Sequence, residues 1–80
     1  MSELKMYTTT WCPDCRNARA WLDRRGIAYE EINIETSPEA AEFVRSVNNG
    51  KRKVPTFVIG SEAFHNSPFS AAVMEEKFGR

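Results

Sequence analysis

The chain has 80 residues, with 11 Lys+Arg against 11 Asp+Glu, one His and two Cys. That length suits one domain (1–80) around one small core, and 41% hydrophobic residues are too many for a disordered tail. Charges that cancel exclude the one-signed field needed to hold nucleic acid or an acidic membrane surface.

In chain order, Leu4 and Met6 alternate with Lys5 and Tyr7, a period of two that predicts a first strand. Thr8, Thr9 and Thr10 lead into Trp11-Cys12-Pro13-Asp14-Cys15. Pro13 suits the first position of a helix, where its missing N–H costs nothing. Ala18, Trp21 and Leu22 form that helix's apolar stripe. Arg24 and Arg25 suit its C-terminal end, and Gly26 a left-handed cap. Ile27 to Ile34 reads as a second strand. Ser37 and Pro38 open a second helix as N-cap and first residue, with Ala40, Phe43, Val44 and Val47 on its buried face. Asn48-Asn49-Gly50 ends it. After the basic run Lys51-Arg52-Lys53, Val54-Pro55 precedes a third strand, Thr56 to Ile59. Gly60-Ser61-Glu62 turns into a short fourth strand, Ala63 to His65. Asn66-Ser67-Pro68 then caps a last helix carrying Phe69, Ala72, Val73 and Phe78. The order is β-α-β-α-β-β-α. It predicts an α/β fold, a four-stranded mixed sheet with three helices on its two faces.

Cys12 and Cys15 lie three residues apart, and a bridge closing so short a loop removes little unfolded-state entropy. The pair is therefore read as chemistry, not as a staple. The N-terminus has no basic start followed by a long apolar run, and no stretch approaches the roughly 20 apolar residues that span a bilayer. The expected location is a reducing cytoplasm, where paired thiols are usually catalytic or metal-binding. Cys12 falls at the predicted N-cap and Cys15 one turn on. The free N–H groups and the dipole of the helix start favour a thiolate there. Cys12 is expected to be the exposed nucleophile and Cys15 the resolving thiol. Zinc needs about four ligands, whereas the chain offers two Cys and one distant His. A cluster shared between two copies is hindered by Pro13. Two inert buried cysteines leave Pro13 and the helix start without a role. The redox reading alone uses strand, cysteine pair, proline and helix together. At Val54-Pro55 the residues by themselves favour an ordinary trans bond.

Trp11-Cys12-Pro13-Asp14-Cys15 after a strand, Val54-Pro55-Thr56 about forty residues later, and this element order resemble the glutaredoxins, most of all those of mycoredoxin type. The resemblance covers nearly the whole chain. It implies a thioredoxin-like fold with Pro55 cis and facing the cysteine pair, and with the Val54 backbone pairing to substrate as an added strand. It implies Cys12 as nucleophile and Cys15 as resolver. The places that hold the carboxylates of glutathione in glutaredoxins are here Arg52-Lys53 and Asn66-Ser67. There are departures. Thr9 stands where many glutaredoxins have lysine, Asp14 where many have tyrosine, and His65-Asn66-Ser67 where Gly-Gly is usual. Each moves away from glutathione.

Asp14 is a favourable acidic residue for a first helical turn, and it also opposes a thiolate beside it. Trp11 either covers the core or contacts substrate. His65 is read as a surface strand residue. No bound cofactor is expected beyond the redox-active Cys12–Cys15 disulfide itself, with a low-molecular-weight thiol (mycothiol, bacillithiol or glutathione) as reductant. The expected partners are that thiol and proteins carrying mixed or internal disulfides, with the chain a monomer. The alternative is a thioredoxin-like reductase recycled by thioredoxin reductase. A third possibility is a metal- or cluster-binding module.

Overall fold

Alternation of Leu4, Met6 and Thr8 with Lys5 and Tyr7 builds β1 (Leu4–Thr8), whose first set of side chains is buried. The computed structural model describes residues 3–79; Met1, Ser2 and Arg80, at the ends of the expected 1–80 domain, lie outside the described residues. After β1 come α1 (Pro13–Arg24), β2 (Glu30–Asn33), α2 (Pro38–Ser46), β3 (Thr56–Ile59), β4 (Glu62–His65) and α3 (Ala71–Phe78). Among the described residues this is the expected order. The strands form one mixed sheet, β2-β1-β3-β4. β1 runs parallel to β2 and antiparallel to β3, and β3–β4 is an antiparallel hairpin turned at Gly60, φ 59°.

The sheet separates two apolar clusters. On one face Leu4, Met6 and Phe57 meet Ala18, Trp21 and Leu22 of α1 and Met74 of α3. On the other, Ile34 meets Ala40, Ala41 and Val44 of α2, with Tyr7, Ile32 and Val54 alongside. Full burial of a side chain such as Leu22 or Phe57 contributes about 1.5–3 kcal/mol.

The helix starts obey local capping rules at α1 and α2. Pro13 and Pro38 occupy first-turn positions, and the Ser37 hydroxyl accepts from Ala40 N–H. Gly26, φ 67°, closes α1 as expected.

Four expectations need correction. β2 is shorter than Ile27–Ile34, because Ile27 N–H is tied back to the Leu22 carbonyl and the chain joins β1 only at Glu30. Val47 is exposed instead of buried, because it lies past the last turn of α2 as its C-cap. α3 starts at Ala71, with Ser70 as N-cap, and not at Asn66-Ser67-Pro68. Its buried residue is Met74, and Ala72 faces outward.

Candidate active site

β1 ends at Thr8, and the next turn of chain delivers Cys12 to the start of α1. Cys12 is the N-cap in extended conformation, and its sulfur accepts the Cys15 N–H at 3.0 Å. A sulfur thus takes the place that a serine or aspartate oxygen holds at an ordinary N-cap. The Cys12 thiol also donates to the Val54 carbonyl at 3.6 Å. Both cysteines are free thiols. The expectation of an exposed Cys12 is corrected, since the residue is only 4% exposed. The Cys15 amide and the Val54 carbonyl close around its sulfur. Cys15 is fully buried, and burial, then a hydrogen bond with Cys12, pushes its thiol from an ordinary 9.0 up to about 12. The Thr9 backbone N–H and the charge of Arg19 pull the other way without offsetting this.

Val54-Pro55 is a cis bond, as the resemblance implies, and Pro55 is fully buried. The structure brings Val54, Trp11 and Arg52 together in one open groove of about 200 Å³, which Thr9, Ile34 and Glu35 complete. Lys53 instead lines a separate surface with Asn48, Asn49 and His65. Trp11 is 65% exposed, so it does not cover the core, and its indole N–H donates to the Glu35 carboxylate at 2.7 Å.

Asp14 does not simply point into solvent. One carboxylate oxygen accepts the Phe69 N–H at 3.1 Å and the other the Ser67 hydroxyl at 3.5 Å. Asn66 is buried, with its amide closing on Ser70 in both directions: Ser70 N–H donates to its Oδ1, and its Nδ2 donates to Ser70 O. A second cis bond, Ser67-Pro68, lies between them. Pro13 is on the surface at the first turn of α1.

Sequence reasoning missed Glu35, Ile34 and the Phe69 amide. Glu35 carried no local motif, and its place follows from the tertiary path of the loop after β2. Thr9 entered only as a missing lysine, yet it is buried and sits against Cys15. Among the described residues no group of three or more His, Cys, Asp or Glu could hold a metal ion, and no helix is long and apolar enough to cross a membrane.

A model of the glutaredoxin family matches residues 4–64. Mycoredoxin 1 of Corynebacterium glutamicum is 39% identical over 74 residues, which is 92% of this chain and 91% of that protein. Among solved structures, the glutaredoxin-like NrdH-redoxin of Escherichia coli, described as having a thioredoxin-like activity profile, superposes with a TM-score of 0.69 at 31% identity. That match covers 78% of this chain and 79% of the other. Glutaredoxin of Brucella melitensis gives 0.74 at 28% identity, over 95% of this chain and 82% of its own. The fold is therefore thioredoxin-like, and the protein is a thiol–disulfide oxidoreductase. The chain belongs to the glutaredoxin family, with its likeness running to the mycoredoxin type.

Proposed function

We propose that the protein reduces mixed disulfides between proteins and a low-molecular-weight thiol, with Cys12 as nucleophile and Cys15 as resolver. The observation that carries this is the asymmetry of the pair. The Cys12 sulfur already receives an N–H at the start of α1, while Cys15 is buried with its thiol pushed up to about 12. The thiolate is the attacking form, and this asymmetry supports different tasks for the two thiols.

The Cys12 thiolate attacks the small-thiol sulfur of the mixed disulfide. An S–S bond forms between Cys12 and the small thiol, and the protein leaves as a thiolate that takes up a proton. A second molecule of the small thiol loses its proton and attacks that adduct. This restores the Cys12 thiolate and releases the small thiol as its symmetric disulfide. In the competing branch Cys15 gives up its proton and attacks Cys12. The Cys12–Cys15 disulfide forms and the small thiol leaves. Either way two electrons pass to the substrate disulfide.

In this reading Trp11, Pro13 and Asp14 frame the nucleophile. Arg52, with Lys53 beside it in the chain, supplies positive charge to the substrate, and the Val54 backbone beside Pro55 takes the substrate as an added strand. Asn66 and Ser67 hold the opposite wall. Mycothiol is the reductant we favour over bacillithiol and glutathione, because the similarity runs to a mycoredoxin. We place this activity in the cytoplasm, in a monomer.

The test is NADPH consumption coupled to each thiol and its reductase, with wild type and Cys15→Ser. The first step needs only Cys12, so Cys15→Ser keeps at least half of the wild-type rate. Loss of turnover in Cys15→Ser, with wild-type turnover on thioredoxin reductase alone, would replace this reading with a thioredoxin-like one. The likeness to the NrdH-redoxin is what favours that alternative.

A further inference from the structure

The wall formed by residues 66–70 has its backbone donors fully engaged. Asn66 N–H donates to the Pro55 carbonyl at 3.0 Å, and Ser67 N–H to His65 Nδ1 at 3.3 Å. Pro68 has no N–H. Phe69 N–H donates to Asp14 at 3.1 Å, and Ser70 N–H to Asn66 Oδ1 at 3.0 Å. The Ser67 hydroxyl also turns to Asp14, and the Ser70 hydroxyl accepts from Val73 N–H. A substrate reaching Cys12 along this flank therefore finds no open amide in this stretch. It finds a carboxylate, Asp14, two residues from the nucleophile.

The other flank is different. There Arg52 lines the groove with Trp11 and Val54, and Glu35, which lines it too, has its carboxylate held by the Trp11 indole N–H.

We infer that Asp14 is a specificity-determining residue: its carboxylate takes two donors of the 66–70 wall, the Phe69 N–H and the Ser67 hydroxyl, whose other amides are already paired, and so excludes a thiol carrying a carboxylate on that flank, selecting one that presents uncharged hydroxyl or amide groups there. Two effects act in the same direction. A substrate carboxylate would meet like charge, and it would have to leave water without gaining a hydrogen bond. A hydroxyl can instead donate to the spare lone pairs of Asp14. An anionic end is tolerated only on the Arg52 side. This inference rests on the proposed role of Cys12 as the attacking thiol.

The test uses the reduced protein and two symmetric disulfides of similar size, neutral hydroxyethyl disulfide and anionic dithiodipropionate. Formation of the Cys12 adduct or of the Cys12–Cys15 bridge is followed by acid quench and mass spectrometry. The readout is the ratio of the neutral to the anionic rate constant, in wild type, Asp14→Asn and Asp14→Ala. Any change in Cys12 reactivity cancels in that ratio, and the difference between the two leaving groups is common to all variants. Asp14→Ala is expected to lower the ratio by about fivefold, since it removes the charge and releases the Phe69 donor. Asp14→Asn still accepts from Phe69 N–H, so it falls between, with a drop of about twofold. A ratio unchanged in folded Asp14→Ala would overturn the inference. Should Asp14→Ala fail to fold, an unchanged ratio in Asp14→Asn overturns it. Wild type that reacts with the neutral probe while the ratios stay equal leaves the proposed function standing and removes only the selectivity. Wild type inert to both probes removes both.

Discussion

At the scale of single residues, the two cysteines are both buried, and they differ in their contacts: the Cys12 sulfur takes the N–H at the helix start, while the Cys15 thiol is pushed up. The place of Cys15, one turn after Cys12 at the start of α1, was legible in the sequence. The size of its shift was not, because desolvation depends on what α1 packs against. That shift makes stability depend on pH. The folded-state thiol is raised above its unfolded value, so its contribution is complete below pH 9 and is lost as pH rises toward about 12. Over that window the unfolded chain binds fewer protons, which favours unfolding. The reduced protein should lose roughly 1 kcal/mol of stability between pH 8 and pH 10 from this group. The oxidised protein has no Cys15 thiol to titrate and should lose less. Urea unfolding of both forms at the two pH values measures the difference, and equal losses would contradict it. Asp14 was legible as a first-turn acid, whereas its partners Ser67 and Phe69 are 53 and 55 residues away and leave no local trace.

At the scale of elements, α1 shows why local rules succeed in one place and fail in another. Its N-cap, its proline and its closing glycine all act within one turn of chain, so a sequence pattern reports them. α3 is the contrary case. Asn66, Ser67 and Pro68 have the composition of a helix start, but Asn66 closes on Ser70 and Asp14 takes the Phe69 amide. A distant acceptor thereby delays the helix to Ala71. The cap of α1 gives a direct prediction. Cys12→Ser leaves an oxygen to accept the Cys15 N–H and should unfold near wild type. Cys12→Ala removes the acceptor and should cost about 1 kcal/mol. For a domain of this size that is a drop in Tm of about 4–8 °C, read by thermal denaturation of the reduced proteins. A Cys12→Ala protein as stable as Cys12→Ser would show that the cap contributes nothing.

At the scale of the whole molecule, the parallel pairing of β1 with β2 and the antiparallel β3 put the end of β1 beside the start of β3. Cys12 follows the first and Pro55 precedes the second, so one sheet sets both halves of the site. The element order made the parallel β1–β2 pair legible, because strand, helix and strand admit few connections, whereas the meeting of Pro55 with the cysteines was implied only by the resemblance. The division of the basic run was not legible. Neighbours in sequence, Arg52 and Lys53, line different surfaces. Phe57, two residues after Pro55 in the chain, is fully buried against the Phe64 and Phe78 rings. Phe57→Ala should cost about 3–5 kcal/mol, a large share of the roughly 4–12 kcal/mol expected for a domain of this length. Chemical denaturation would show a midpoint lowered by at least about a quarter, and a smaller change would mean that the core closes over the cavity.

The contact from the Cys12 thiol to the Val54 carbonyl carries one more consequence. While the sulfur keeps its proton, it engages one lone pair of the very oxygen that the proposed added strand would use. Loss of that proton arms the sulfur and vacates the oxygen in the same event. It also leaves two electron-rich atoms facing each other, a confrontation that an incoming peptide N–H relieves. In the proposed reading, activation and docking therefore favour each other, since the landing place is most open when the sulfur is ready to react.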